Sequence, residues 1–351
     1  MHYSYYTASE NLYQERFGLD FEHFAAGQHF VHRPGITLTQ QDNVVEALDT
    51  MNAAMIHYDA AYSAHTSWSK PLMVSTLTLK RLIGMGWKTF NRRKRITRFS
   101  RIAMTAPMFG GDTLYAETEV LQATPISAQL GLLRLRVLGF NQNGTQVSNL
   151  ECDMEVWRSG AGRGLGAAAD ADAGSVKPAA QPRFASHAAN GDGAWVEQTG
   201  LFFEDLQPGE TYIHNLRRSF TAEEAHRLSL HAMEWSPQHH DALLTGDNPA
   251  ALPEAIVVGA VTALTTRTLG RVTANVAWTD VDLPRPVLAG DTVEARSTIV
   301  SARESASRPS EGIVTVHTVA HNQRGEEVLS CKRSLLVYRR SAPNPYSAAG
   351  Y

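Results

Sequence analysis

Residues 21–30 read FEHFAAGQHF, and 182 positions later residues 203–212 read FEDLQPGETY. This pairing decides the fold, because two further matches follow in the same order. PMFGGDTLYAETEVL from Pro107 returns as PVLAGDTVEARSTIV from Pro286, and NQNGTQV from Asn141 returns as NQRGEEV from Asn322. The offsets there are 179 and 181. Three ordered matches with such small drifts mark the duplication of one unit of about 140 residues. Between the copies, residues 159–193 are dominated by Gly, Ala, Pro and Ser, which supply too little apolar bulk for a core and read as a linker. The expected organisation is an N-terminal unit over 20–158, a low-complexity linker over 159–199 and a C-terminal unit over 200–340.

A length of 351 residues fits two domains better than one. With 43% hydrophobic and 19% charged residues the composition is that of an ordinary globular chain. The net charge of −3 gives no general reason to expect a nucleic-acid partner. Two cysteines, Cys152 and Cys331, are too few for a disulfide framework and lack the CxxC spacing of a zinc site. No apolar run approaches the roughly 18 residues of a membrane span, and the start MHYSYYTASE lacks the regions of a signal peptide. A cytoplasmic protein without a membrane partner is expected.

In each copy a short strand precedes a helix start. Thr39 opens one helix, and Thr221 opens the other with Glu224 three residues on, as in a capping box. Val44, Leu48, Met51 and Met55 recur at helical spacing, which places Asn52 and His57 at or just beyond that helix's end. A second apolar helix follows, STLTLKRLIGMG from Ser75 and GAVTALTTRTLG from Gly259, each preceded by an apolar run, PLMV or AIVV. The remainder alternates apolar and polar, as in LLRLRVLGFN and IVTVHTVAH, with GGDT, AGDT, QNG and QRG as turns. This order predicts an α+β fold, an antiparallel sheet wrapped around a central helix in each half.

His57 sits among small and apolar residues in NAAMIHYDAAYSA, where a single imidazole ordinarily packs as a satisfied structural group. The 182-residue offset carries it onto His239, and the residues five before are Asn52 and Glu234. Both copies therefore present a side-chain oxygen and an imidazole at one spacing, for a shared catalytic or a shared structural role. The segment KTFNRRKRITR holds six cations in eleven residues. Its plain reading is a solvated face, and its other reading is that Arg92, Arg93 and Arg95 bind phosphate through their guanidinium forks. No metal cluster and no GxGxxG after a strand is present, so no metal or redox cofactor is expected.

These residues resemble the MaoC-like hydratases and dehydratases, single or double hotdog proteins that act on enoyl-CoA thioesters. Their motif D-x-N-P-x-H is followed about eighteen residues after the histidine by a turn into the central helix. Here copy one reads N-A-A-M-I-H from Asn52, with PLMVS ending at Ser75, and copy two reads E-W-S-P-Q-H from Glu234, with AIVVG ending at Gly259. The likeness is greatest to itaconyl-CoA and mesaconyl-CoA hydratases, or β-methylmalyl-CoA dehydratases, which also carry Asn at the first position. Copy one departs at Ala54 and Met55, and copy two at Glu234 and Ser236. The resemblance implies a tandem hotdog and a hydro-lyase for a short or branched enoyl-CoA, with a dicarboxylic chain among the options. His57 with Asn52, or His239 with Glu234, would handle water, while backbone N–H groups near Ser75 or Gly259 would meet the enolate oxygen. Coenzyme A enters as part of the acyl-CoA substrate, no separate cofactor is implied, and a homo-oligomer is allowed. Copy one, with the family's spacing, is favoured as the working half. A hotdog thioesterase and a non-catalytic acyl-CoA or acyl-carrier binding protein are the alternatives.

Overall fold

The structure, a computed structural model, describes residues 2–16, 18–162, 177–246 and 248–348. A hairpin comes first, β1 (Tyr5–Ser9) and β2 (Leu12–Glu15). Then follow β3 (His29–Thr37), α1 (Gln40–Asp49), α2 (Ala60–Ser63), α3 (Ser75–Met85) and α4 (Trp87–Phe90). Four long strands complete the first copy: β4 (Arg93–Met104), β5 (Thr113–Pro125), β6 (Leu130–Phe140) and β7 (Gln146–Trp157). After the short β8 (Lys177–Pro178) the series repeats with a hairpin, β9 (His187–Ala189) and β10 (Trp195–Glu197), then β11 (Thr211–Ser219). The helices are α5 (Ala222–His231), α6 (Ala242–Thr245), α7 (Glu254–Leu264) and α8 (Thr266–Leu269). The strands β12 (Val272–Asp282), β13 (Thr292–Glu304), β14 (Glu311–Asn322) and β15 (Glu327–Tyr338) lead to a last turn, α9 (Pro345–Ala348).

In each half five strands form an antiparallel sheet, ordered β4-β7-β6-β5-β3 and β12-β15-β14-β13-β11. Along β6, and along β14 from Gly312, every second residue is buried, the period-two pattern of a strand with one face in the core. Against the first sheet α3 lays Leu77 and Leu82, which pack with Leu114, Val137 and Leu150. α7 does the same with Val257 and Val261 in the second half. The expected hotdog architecture is thus the observed one.

Local detail departs from expectation in two places. Thr39 closes a full capping box with Asp42, whereas the box expected at Thr221 is only half made: its side chain accepts from the Glu224 N–H, but the Glu224 carboxylate goes to Arg218. In α1 the buried residues are Asn43, Glu46 and Ala47, while Leu48 and Met51 are 68% and 90% exposed. Periodicity located the helix, but its apolar stripe faces outward.

The two halves are interlocked by exchanged hairpins. β2 runs parallel to β11, so the hairpin that precedes copy one extends the sheet of copy two, and β10 runs parallel to β3, so the hairpin that precedes copy two extends the sheet of copy one. Residues 163–176 of the expected linker lie outside the described residues, but 177–197 is not a passive tether. Phe184 is buried against Tyr5 and Tyr13, at 4.7 and 4.9 Å between ring centroids. Small residues around one aromatic ring suffice because the other half supplies most of that core.

Each exchange carries a buried histidine–glutamate pair. His32 Nδ1 lies 3.0 Å from Glu197 Oε1 and His32 Nε2 lies 2.8 Å from Thr118 Oγ1, while Thr89 donates to Glu197 at 2.6 Å. In the other half His214 Nδ1 lies 3.1 Å from Glu15 and Nε2 lies 2.9 Å from Ser297, while Thr268 donates to Glu15 at 2.8 Å. Burial alone would raise the Glu197 carboxyl, but the charge and hydrogen bond of His32, with Lys88 and Thr89, hold it down at about 2. Glu15 is likewise held below the usual carboxylate range: burial would raise it, and His214, Arg267 and Thr268 outweigh that. Glu15 and Glu197 are themselves 182 residues apart, within LYQERFGLDFE and AWVEQTGLFFE. The repeated unit therefore reaches back beyond the boundaries at 20 and 200 to include the hairpins. Gly18 and Gly200 in these segments adopt φ of +63° and +75°, and a Cβ on Gly18 would meet the Arg92 backbone nitrogen at 2.7 Å. Glycine is required there on both counts.

Candidate active site

Past the end of α1 the chain makes a short 3-10 turn, Met55–His57. Half-buried His57 points Nδ1 at the Leu72 carbonyl, 2.8 Å away. A carbonyl only accepts, so Nδ1 carries the proton and Nε2 the lone pair. No partner for Nε2 occurs among the described residues. Asn52 uses Oδ1 to accept the Ala54 N–H at 3.0 Å, which leaves its amide hydrogens as the groups it can offer. The two residues are not hydrogen-bonded to each other.

Asn43, fully buried on α1, organises this turn. Its Nδ2 donates to the carbonyls of His57 at 2.7 Å and Leu72 at 3.0 Å, and its Oδ1 accepts the Val74 N–H at 2.7 Å. One amide thereby ties the histidine turn to the entry of α3. Sequence reasoning missed it, although a signal existed: the equivalent residue at the 182 offset is Ala225, so an amide at this helix position is present in one copy only.

Ser75 is exposed and opens α3, whose N-cap Val74 provides no side-chain cap. The helix N-terminus is therefore open to an anion. Beside it lies a cavity of about 280 Å³, lined by Trp68, Leu72, Met73, Ser75, Thr78 and Met104 among others. Leu72 contributes to this wall with the same residue whose carbonyl fixes His57. A larger cavity of about 740 Å³ lies between β3, α1 and α3, and Arg33, Lys80 and Arg81 face Asp42, Glu46 and Asp49 around it; neither His57 nor Ser75 borders it.

Copy two is built differently. His239 is only 3% exposed, with Nδ1 on the Ala251 carbonyl at 2.7 Å and Nε2 receiving Gln238 Nε2 at 3.2 Å. Both ring nitrogens are satisfied. Glu234 accepts from the Ser236 hydroxyl, which together with the Ser236 backbone N–H and the neighbouring His239 holds its carboxyl below the usual range. Gly259 does not stand at a helix start. α7 begins at Glu254 after Pro253, so Gly259 lies in mid-helix and the partner of Ser75 is Glu254. The apolar runs PLMV and AIVV are not equivalent; the bridges Leu72–Phe109 and Ala251–Leu288 are. A carboxylate at that entry opposes a developing enolate.

The basic run also divides. Arg92 turns inward, bonding Asp20 at 2.8 Å and backbone carbonyls of 158–162, and is not available to phosphate. Arg93 begins β4, and Arg95 pairs with Glu155 at 3.1 Å. Along the strand Arg95 lies about 30 Å from Met104 at the cavity, so contact with a bound CoA would require it to lie along most of β4. The run is split because α4 ends and a strand begins within it. Cys152 and Cys331 are buried free thiols, and burial pushes Cys152 up to about 12. Among the described residues no cluster of three or more His, Cys, Asp or Glu is placed to hold a metal, and no helix is long and apolar enough to cross a membrane.

The fold and site together define a double hotdog protein with one open imidazole beside an uncapped central helix. A family profile described as mesaconyl-CoA hydratase matches residues 269–348. The chain is similar to mesaconyl-CoA hydratase from Cereibacter sphaeroides, 34% identical over 158 residues, covering 42% of this chain and 44% of that protein. It is also similar to mesaconyl-CoA hydratase from Haloarcula hispanica, 28% identical over 176 residues, covering 42% of this chain and 48% of that protein. The matches thus span about half the length of these curated relatives. Among solved structures, a Mycobacterium tuberculosis protein described as having a double hotdog fold aligns over 92% of this chain and 99% of its own at 21% identity, with a TM-score of 0.38.

Proposed function

We propose that the protein adds water to, or removes it from, the double bond of a short or branched enoyl-CoA thioester, with a dicarboxylic acyl chain included in that class. The observation that carries this reading is His57: its Nδ1 is pinned as the protonated nitrogen, and its Nε2 lone pair has no partner among the described residues. In hydration, Nε2 takes a proton from water as the oxygen bonds to the β-carbon. The electron pair of the double bond moves toward the thioester oxygen, where the open N-terminus of α3 at Ser75 favours the negative charge. The proton then returns from the imidazolium to the α-carbon, so that the net change is one water added. Asn52, with only amide hydrogens to offer, orients the water or the thioester oxygen and cannot itself accept the proton.

The test uses crotonyl-, mesaconyl- and itaconyl-CoA, following enoyl absorbance and free thiol together. Loss of absorbance without thiol release is the expected result. Thiol release would identify a thioesterase, and binding of the esters without either change would identify a carrier. Asn43 offers a finer test. Asn43→Ala unties the His57 turn from α3, and a displacement of the order of 1 Å at a reacting group costs about 10²-fold. We expect kcat to fall by about that factor with KM little changed, and Asn43→Asp to fare no better, because a carboxylate there would face two carbonyls. Equal loss through KM, or full activity of Asn43→Ala, would remove Asn43 from this role.

A further inference from the structure

The cavity beside Ser75 has an uncharged wall. Apart from the hydroxyls of Ser75, Thr78 and Thr105 its side chains are apolar or aromatic, and no charged side chain among the described residues lines it. Three bonds in a trans arrangement span about 4 Å, so a second carboxylate on a four-carbon enoyl chain lies about that far from the thioester carbon at the entry of α3. Without a partner in such surroundings a carboxylate is costly to hold.

Lys70 can supply the partner. In the chain it lies between Trp68 and Leu72, both in the cavity wall, and its Nζ sits 4.0 Å from the centroid of the Phe109 ring. That ring is fixed at the same wall: Phe109 forms the bridge to Leu72, its N–H goes to Asp112 at 2.9 Å, and its ring lies 6.2 Å from that of Trp68. A ring face positions an ammonium without cancelling its charge, and Lys70 has no ion-pair partner among the described residues. The cations of the larger cavity are more engaged, Lys80 with Glu46 and Arg81 at 3.9 Å from Asp42. We propose that Lys70 binds the second carboxylate of a dicarboxylic acyl chain and so determines the preference for charged over uncharged enoyl-CoA esters. The inference rests on the hydro-lyase reading for the pose, with the thioester at α3 and the double bond beside His57.

The duplication isolates the pair. The bridges Leu72–Phe109 and Ala251–Leu288 fix the local offset at 179, which puts Lys70 on Pro249 and Phe109 on Leu288. Cation and ring therefore occur together in the copy that has the open imidazole, and both are missing from the copy in which His239 is satisfied. Ser69 enters the left-handed region immediately before Lys70, with φ of +58°, a conformation that a residue with a side chain keeps where its surroundings hold it. The phosphates of coenzyme A offer a lysine the same chemistry. The two sources separate because every CoA ester carries the phosphates and only some carry an acyl carboxylate.

Succinyl-CoA and butyryl-CoA differ by a carboxylate in place of a methyl group and have no double bond, so their affinities read the contact without turnover. By titration calorimetry the unmodified protein should bind succinyl-CoA more tightly. Lys70→Gln should reduce that preference about tenfold, and Lys70→Arg should keep it within about threefold. The ratio of kcat/KM for mesaconyl- to crotonyl-CoA should fall by the same factor in Lys70→Gln, through KM. A succinyl-CoA preference that depends on Lys70, in a protein that hydrates none of the esters, would sink the hydro-lyase reading and leave the carboxylate contact standing. An unaltered ratio in Lys70→Gln would overturn the proposal, and equal weakening of both esters would mark a phosphate contact instead. Tighter binding of butyryl-CoA by the unmodified protein would overturn it as well.

Discussion

Replacing Glu15 with Ala is expected to destabilise the C-terminal hotdog, although Glu15 precedes the N-terminal one in the chain. The carboxylate is buried against His214 and Thr268, and it also accepts the Asn215 N–H at 3.3 Å. Removing this acceptor leaves the buried His214 imidazole and Thr268 hydroxyl without their shared partner, at a cost of about 1–3 kcal/mol for each group left unpaired. Deletion of residues 1–16 should cost more, because β2 leaves the β11 edge and the Tyr5 and Tyr13 rings leave the core around Tyr212. Amide exchange should then rise first in β11 and β13 and not in β3 and β5. Glu197→Ala should give the mirror result, with β3 loosened. If Glu15→Ala loosened β3 instead, or changed nothing, the exchange would not hold the molecule together.

Two buried groups of the hairpin that precedes copy two, His187 and Glu197, set the expected response to acid. His187 is depressed to about 3, chiefly by burial, so its neutral form is the one the fold favours. Its contribution is complete above 6.5, the ordinary histidine value, and is lost as pH falls toward about 3. For Glu197 the contribution is complete above 4.5 and is lost as pH falls toward about 2. Thermal melting of the intact protein should therefore begin to fall below about pH 6.5 and fall more steeply below about pH 4.5.

Much of this architecture was legible in the residues alone. The repeat, the alternation in β6 and β14 and the helix that opens at Ser75 all follow from spacing, because strands and helices display their period directly. The exchange was not legible, for a physical reason. Glu15 precedes His32 by the same 17 residues that separate Glu197 from His214, so a pairing within each copy matches the sequence as well as a pairing between copies. Equivalence says which residues correspond, and only geometry says which copy they serve. The outward direction of the α1 stripe was not legible, because a period fixes a face without fixing its direction. Gly259 was misplaced because two apolar runs of equal length look alike, one lying before its helix and the other inside it. Asn43 and Ala225 carried a usable signal, a buried amide kept in one copy and lost in the other.

That asymmetry bears on the largest catalytic effect expected here. His57→Ala should lower turnover by about 10²–10⁴, the ordinary contribution of a positioned acid or base, while leaving the melting temperature nearly unchanged, since among the described residues the half-buried ring bonds only the Leu72 carbonyl. His239→Ala should show the opposite signature. It removes a buried imidazole from the Ala251 carbonyl and from Gln238, so it should cost about 1–3 kcal/mol of stability for the groups left unpaired and little activity. Asn52→Asp should remain active, because an aspartate oxygen can still accept the Ala54 N–H that holds the turn. Steady-state kinetics and melting curves on the same preparations separate the outcomes. Loss of activity in His239→Ala with His57→Ala unaffected would transfer the chemistry to copy two, where Glu234 is the ionisable neighbour. Full activity in both would leave each histidine as a bridge between a turn and the entry of its central helix, and would return the carrier reading to first place.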